Sequence, residues 1–166
     1  MKGFGGDRDY QITFKRGGKI LEILDEANWL TTVGATHIVI DGLQNSVKEL
    51  ITGRVKFGRD ILPKMTEMNK KCKVVLAETI YCPEHREIFG RIHWINREVR
   101  KVNREASGLV GPQPWKALSQ LKRPASRKMK AHVKIIDGSF AKDGYHISSN
   151  KIAEFEEVLA EFLTEM

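Results

Sequence analysis

The chain has 166 residues, the size of one domain, and its 41% apolar and 30% charged residues are those of a folded globular protein, which excludes global disorder. Its longest apolar runs, Val74 to Ala77 and Ile38 to Ile40, fall far short of the roughly 18 residues that cross a bilayer, and residues 1–9 hold no apolar signal region. Neither a membrane span nor a secretory leader is expected on this reading, and the expected setting is the cytoplasm or the nucleus. The net charge of +7 is unevenly placed: residues 97–134 carry eleven Lys/Arg against Glu98 and Glu105, whereas residues 143–166 carry six acidic residues against Lys151. Such a basic stretch suits either a polyanion partner or a solvated surface.

In chain order, Tyr10 to Phe14 alternates aromatic and polar residues and predicts a strand, closed by Lys15-Arg16-Gly17-Gly18. From Lys19 to Thr31, Ile20, Leu21, Ile23, Leu24, Ala27 and Leu30 recur at helical spacing, with Gly34 as a stop signal and Trp29 assigned to the core. His37-Ile38-Val39-Ile40 is a β-branched run entering Asp41-Gly42, the pattern of a buried parallel strand. A helix follows from Phe57 or Arg59 to Asn69, with Pro63 in its first turn. Lys73 to Ile80 reads as a central strand, and Arg91 to Ala106 as a helix burying Ile92, Ile95, Val99 and Val102.

Residues 107–131 are rich in Gly, Pro and basic side chains and are expected to form a long irregular loop, with Trp115 at the mouth of a site. His132 to Asp137 is the last expected strand, and Asn150 to Glu165 the closing helix. Ser46 and Ser148 or Ser149 are assigned as helix caps and Ser139 as a turn residue. Cys72 and Cys82 bracket a strand-like run whose ends would lie about 30 Å apart, beyond bridging distance, and are expected to be free thiols. His37, His85, His93 and His132 have no partner pattern. Alternating strands and helices imply a parallel sheet covered on both faces, with chemistry gathered in the loops that follow the strands.

Those loops hold Arg16-Gly17-Gly18-Lys19-Ile20, then Asp41-Gly42-Leu43-Gln44-Asn45-Ser46-Val47, then Thr79-Ile80-Tyr81-Cys82-Pro83, then Lys142-Asp143-Gly144-Tyr145-His146-Ile147-Ser148. Over residues 10–166 this order resembles the SGNH (GDSL-type) esterase family, most specifically at Asp143-Gly144-Tyr145-His146 before an amphipathic helix and at Arg16-Gly17-Gly18. The helix containing Trp94-Ile95-Asn96-Arg97-Glu98-Val99 resembles the one that precedes that family's final strand. The resemblance implies one domain spanning 1–166, an α/β fold of the three-layer α/β/α sandwich (flavodoxin-like) type with a mostly parallel sheet. It implies hydrolysis of a small acyl or acetyl ester without metal or organic cofactor.

In that family a histidine takes the proton of a serine hydroxyl while a carboxylate orients the imidazole, and backbone and carboxamide N–H groups stabilise the oxyanion. Asp143 and His146 match the acid and the base; Gly17, Gly42 and either Gln44 or Asn45 match the oxyanion wall. If Gly42 aligns with the family's glycine, Gln44 stands at the Asn position with one methylene more, a misplacement of about an ångström that can cost roughly 100-fold in rate. The Gly-Asp-Ser block has no counterpart: Gly6-Asp7-Arg8 lies too close to Gly17, and the better registration puts the first strand and its serine upstream of residue 1. The chain is then expected to be inactive as it stands. The alternative is a pseudoenzyme that uses its basic 97–134 surface for RNA, through Lys116, Lys122, Arg123, Arg127, Lys128 and Lys130 with Trp115 stacking on bases. A third reading is a module completed by a strand from a protein partner or a second copy of itself.

Overall fold

The computed structural model describes residues 17–122 and 132–166. The strand expected at Tyr10 to Phe14 and the basic residues Arg123, Arg127, Lys128 and Lys130 lie outside the described residues. The fold is mixed α/β. Helix α1 (Ile20–Thr32) leads to strand β1 (His37–Ile40), a short helix α2 (Val47–Thr52), helix α3 (Leu62–Asn69), strand β2 (Lys73–Leu76) and the long helix α4 (Phe89–Ser107). Strands β3 (Ser119–Lys122) and β4 (His132–Ile135) and helix α5 (Ile152–Glu165) complete it.

Helix α1 buries Ile20, Leu24, Ala27 and Thr31, one stripe at spacings of four, three and four. Trp29 is not in the core as expected but 63% exposed. Five residues past Leu24 it is turned about 140° around the helix, away from the stripe. The first amide of the helix, that of Ile20, donates to Ser46 Oγ at 2.8 Å. Ser46 sits at the N-cap position of α2 as expected, yet its hydroxyl caps α1 across space and makes no capping bond to its own helix. A π-turn (Phe57–Ile61) precedes α3, and Pro63 lies in the first turn of α3, where its missing N–H leaves no intrahelical bond unmade.

Strands β1 and β2 pair in parallel, with Ile38 opposite Val74 and Ile40 opposite Leu76. The residues Val74 to Ala77 are buried completely, as in a strand covered on both faces. The strand expected to run to Ile80 ends at Leu76, because the backbone beyond turns to other partners. Ala77 N still donates to Ile40 O at 2.7 Å, but Glu78 N donates to Pro112 O at 3.0 Å and Thr79 N to the side chain of Asn96 at 2.8 Å.

The outer edge of this segment is closed by α4. Asn103 Oδ1 accepts from Leu76 N at 2.8 Å while its Nδ2 donates to Leu76 O at 2.8 Å; Asn96, two turns earlier, does the same for Thr79 at 2.8 and 3.1 Å. Two buried carboxamides thus replace a neighbouring strand, and satisfy backbone groups that would be costly to leave unpaired. Gly111 crosses so close that a Cβ there would meet Leu76 O at 2.4 Å and Asn103 Nδ2 at 2.5 Å.

Residues 107–122 are less irregular than expected. A turn at Pro114–Ala117 leads into β3, which pairs antiparallel with β4, Ser119 opposite Ile135. The expected last strand therefore exists at His132–Ile135 but lies in an antiparallel pair, apart from the parallel one. Cys72 and Cys82 are free, as expected.

Candidate functional site

The loops that follow β1 and β2, the start of α1 and the segment before α5 enclose a cavity of about 170 Å³. Its wall includes Gly18, Asp41, Gly42, Gln44, Asn45 and Thr79, with Ile23, Ile80, Ile147 and Phe155 as the apolar part. This is the carboxyl end of the parallel strands, where open α/β sheets place their ligands.

Of the expected oxyanion residues, Gly42, Gln44 and Asn45 lie on this wall, whereas Gly17 is exposed in a turn at φ +67° and its neighbour Gly18 takes the wall position. Gly42 packs under Ile23: a Cβ there would meet Ile23 Cδ1 at 2.3 Å and oblige that side chain to turn aside. Gln44 Nε2 donates to Tyr145 O at 2.7 Å, so its amide is already engaged. Asn45 Oδ1 accepts from the Tyr145 hydroxyl, which leaves its Nδ2 without a partner among the described residues. Tyr145 thereby ties the loop after β1 to the segment before α5. Its ring also meets His85 and His146 edge-on, with centroids 5.6 and 5.5 Å apart.

Asp143 and His146 come together as the sequence suggests. Asp143 Oδ2 lies 2.5 Å from His146 Nδ1, and its Oδ1 accepts the backbone amides of Tyr145 and His146 at 2.9 and 3.0 Å. These hydrogen bonds, that of His146 first, hold the Asp143 carboxyl down at about 2. The pair lies in solvent, with the imidazole 79% exposed, and of this segment the following residue, Ile147, lines the cavity.

No described serine is placed as a nucleophile. Ser46 is buried and caps α1; Ser139, expected as a turn residue, is buried with no partner for its Oγ; Ser148 Oγ is engaged between Gly138 O at 2.5 Å and the Asn150 side chain at 2.7 Å. Neither Ser148 nor Ser149 caps α5, whose N-cap is Lys151 without a side-chain capping bond. Cys82 is fully buried and its thiol is pushed up chiefly by that burial, which makes it unreactive. Among the described residues no three His, Cys, Asp or Glu side chains gather as a metal site would require.

Two polar groups at the cavity escaped the sequence reading. Asp41 has no hydrogen bond or ion pair among the described residues, and desolvation by the surrounding walls pushes its carboxyl up to about 6. The residue remains accessible to water at the mouth, which works against the full rise. Thr79 is 98% buried and its Oγ1 has no hydrogen-bond partner. The signal for Asp41 was its place directly after a β-branched strand; nothing local marked Thr79.

The basic surface differs from expectation at one point. Trp115 is 4% exposed, with its indole N–H donating to Glu78 Oε1 at 3.0 Å, so it neither covers the mouth nor offers a face for bases. Lys116 Nζ lies 5.7 Å from its ring centroid, and Lys122 is exposed at the end of β3. Arg97, Lys101 and Arg104 form an exposed stripe on α4.

Compared with known protein families, curated proteins and solved structures, the chain matches none. No described helix is long and apolar enough to cross a membrane.

Proposed function

We propose that the chain is an SGNH-hydrolase-like domain, a three-layer α/β/α sandwich whose site acts on small acyl or acetyl esters. The observation that carries this reading is the Asp143–His146 pair directly before Ile147, a wall residue of the cavity built from the ends of two parallel strands. Asp143 accepts the Nδ1 proton of His146, which leaves Nε2 as the base that takes a proton from an attacking hydroxyl. Asn45 Nδ2 is the carboxamide donor still free to meet an oxyanion, and Gly42 lets the ester approach the backbone. Since no described serine can attack, the reading assigns the base, its orienting carboxylate and the acyl pocket. Water activated by His146 is then the nucleophile, at a modest rate.

The test is hydrolysis of p-nitrophenyl acetate by the full chain, compared with His146→Ala and Asp143→Asn. The expected result is at least a tenfold loss in both, general-base catalysis being worth about 100-fold or more. Equal rates in all three chains would remove the reading.

The stripe Arg97, Lys101 and Arg104 favours a second reading, a surface for RNA phosphates on a catalytically silent domain. Affinity for a single-stranded RNA would then fall steeply with salt and weaken on charge reversal of all three residues. Binding indifferent to both would end it.

A further inference from the structure

The polar groups of the cavity are unevenly satisfied. Gln44 is bonded to Tyr145 O, Asn45 Oδ1 to the Tyr145 hydroxyl, and Lys19 at the start of α1 to Glu49 Oε1 at 3.1 Å and to Asn45 O at 3.0 Å. Asp143 is held by His146. Against this background Asp41 is a carboxylate on the wall with no cation and no donor among the described residues, and Thr79 adds a sealed hydroxyl without a partner. Thr79 is buried, and a buried polar group is normally paired, so this exception calls for a ligand, an ion or a role; Asp41 stands at the mouth, exposed to water, as the charge beside it. The apolar part of the wall is Ile23, Ile80, Ile147 and Phe155, beside the polar side chains of Gln44, Asn45 and Thr79.

We propose that Asp41 determines what the cavity accepts, and that its ligand carries a protonated amine on a short apolar chain. The ammonium donates to the Asp41 carboxylate and the chain lies against Ile23, Ile80, Ile147 and Phe155. About 170 Å³ holds about five water-sized groups, enough for a four-carbon amine and little more. An anionic ligand is refused by the same carboxylate, and Lys19, which donates to Asn45 O on this wall, is paired with Glu49. The inference rests on the ester reading only in making this group part of the substrate: it names the acyl class as amino-acyl. The binding preference stands by itself.

The experiment uses the full chain at pH 8, where the carboxylate is ionised. Backbone amides of Gly42, Asn45 and Ile147 are followed by NMR while n-butylammonium, n-butanol and butyrate are added. The expected result is saturable shifts with butylammonium, at least tenfold tighter than with butanol, and none with butyrate. Asp41→Asn, which keeps the shape and removes only a charge, should bring butylammonium to the level of butanol. Equal binding of the cation and the alcohol, tighter binding of butyrate, no binding of any probe, or an Asp41→Asn chain that still prefers the cation would each overturn the proposal. Hydrolysis of 4-nitrophenyl 4-aminobutyrate against 4-nitrophenyl butyrate separates the two claims. Cation binding lost in Asp41→Asn but no ester turned over would leave the ligand assignment and remove the hydrolase reading. Turnover through His146 with no preference for the amine would do the opposite.

Discussion

Two regions meet at the adjacent residues Glu78 and Thr79 after β2, and they treat polar groups in opposite ways. At Glu78, 1% exposed, every acceptor is met: Arg100 Nε and Nη2 donate at 3.0 and 3.1 Å, Gln113 Nε2 at 3.0 Å and Trp115 Nε1 at 3.0 Å. Asn96 and Asn103 are equally saturated by backbone. At the cavity, Asp41 and the hydroxyl of Thr79 have no partner among the described residues, and the Asp143–His146 pair stands out in water. A fully paired buried network rigidifies the fold, whereas groups left unpaired at a strand end are available to a ligand. The first region holds the second in place, because the segment it locks, Leu76 to Thr79, ends on the cavity wall.

The comparison is broken most severely at Glu78. Glu78→Gln replaces two charged acceptors with one neutral oxygen and leaves Arg100, Gln113 and Trp115 competing for it. Removing one partner of a buried pair costs about 3–5 kcal/mol. Urea denaturation should show the midpoint falling with an unchanged slope; a loss below about 1 kcal/mol would mean the network contributes little. Next comes Asn103→Ala, which leaves the amide and carbonyl of Leu76 buried without partners. Each unsatisfied group costs about 1–3 kcal/mol, so a total near 3 kcal/mol is expected. Asn103→Leu should be no better, since the loss lies in hydrogen bonds rather than volume.

The two regions were unequally legible in the sequence. The periodic helices and the β-branched strand at His37 to Ile40 were readable because apolar spacing reports burial directly. The pairing of Asp143 with His146 was implied by the resemblance to the SGNH family alone; by spacing, Asp143-Gly144 followed by a histidine reads as a surface turn. Glu78, by contrast, looked like one more charge in a strand; its partners are 22 to 37 residues away, and only the folded chain assembles them. The same distance hid Asn96 and Asn103, whose spacing of seven on a helix reads as a polar stripe until β2 is set against it. Trp115 was misread as a surface aromatic because its neighbours are Gly, Pro and Lys, the composition of an exposed loop. The antiparallel place of β4 was missed because Ser119 to Lys122 carries almost no β-prone residues, so its partner went unseen.

Smaller effects sharpen the comparison from the cavity side. Asp143 is held at about 2, below its unfolded value, so whatever stability its hydrogen bonds add is complete above about pH 4 and lost as the pH falls through about 2. The group is solvent-exposed, so Asp143→Asn should leave the neutral-pH melting temperature nearly unchanged while lowering ester hydrolysis by tenfold or more. A melting temperature that drops with the rate would mark the pair as part of the fold.

Asp41 gives the smallest shift and the one of opposite sign. Its folded carboxyl is raised to about 6, above its unfolded value, so the native state binds the extra proton between about pH 4 and 6. Holding the charge therefore costs nothing below about pH 4, costs progressively more as the pH rises to about 6, and costs its full amount above that. Asp41→Asn removes this cost, so the variant should melt higher than the parent chain at pH 8, by about 2 °C once water at the open mouth is allowed for. The two melting curves should converge at pH 4. Saturating butylammonium at pH 8 should raise the parent and leave the variant unmoved, because the ligand's cation and the substitution relieve the same unpaired carboxylate. A variant less stable than the parent at pH 8 would mean that Asp41 is paired in the native state, and would move it from the ligand-ready region to the saturated one.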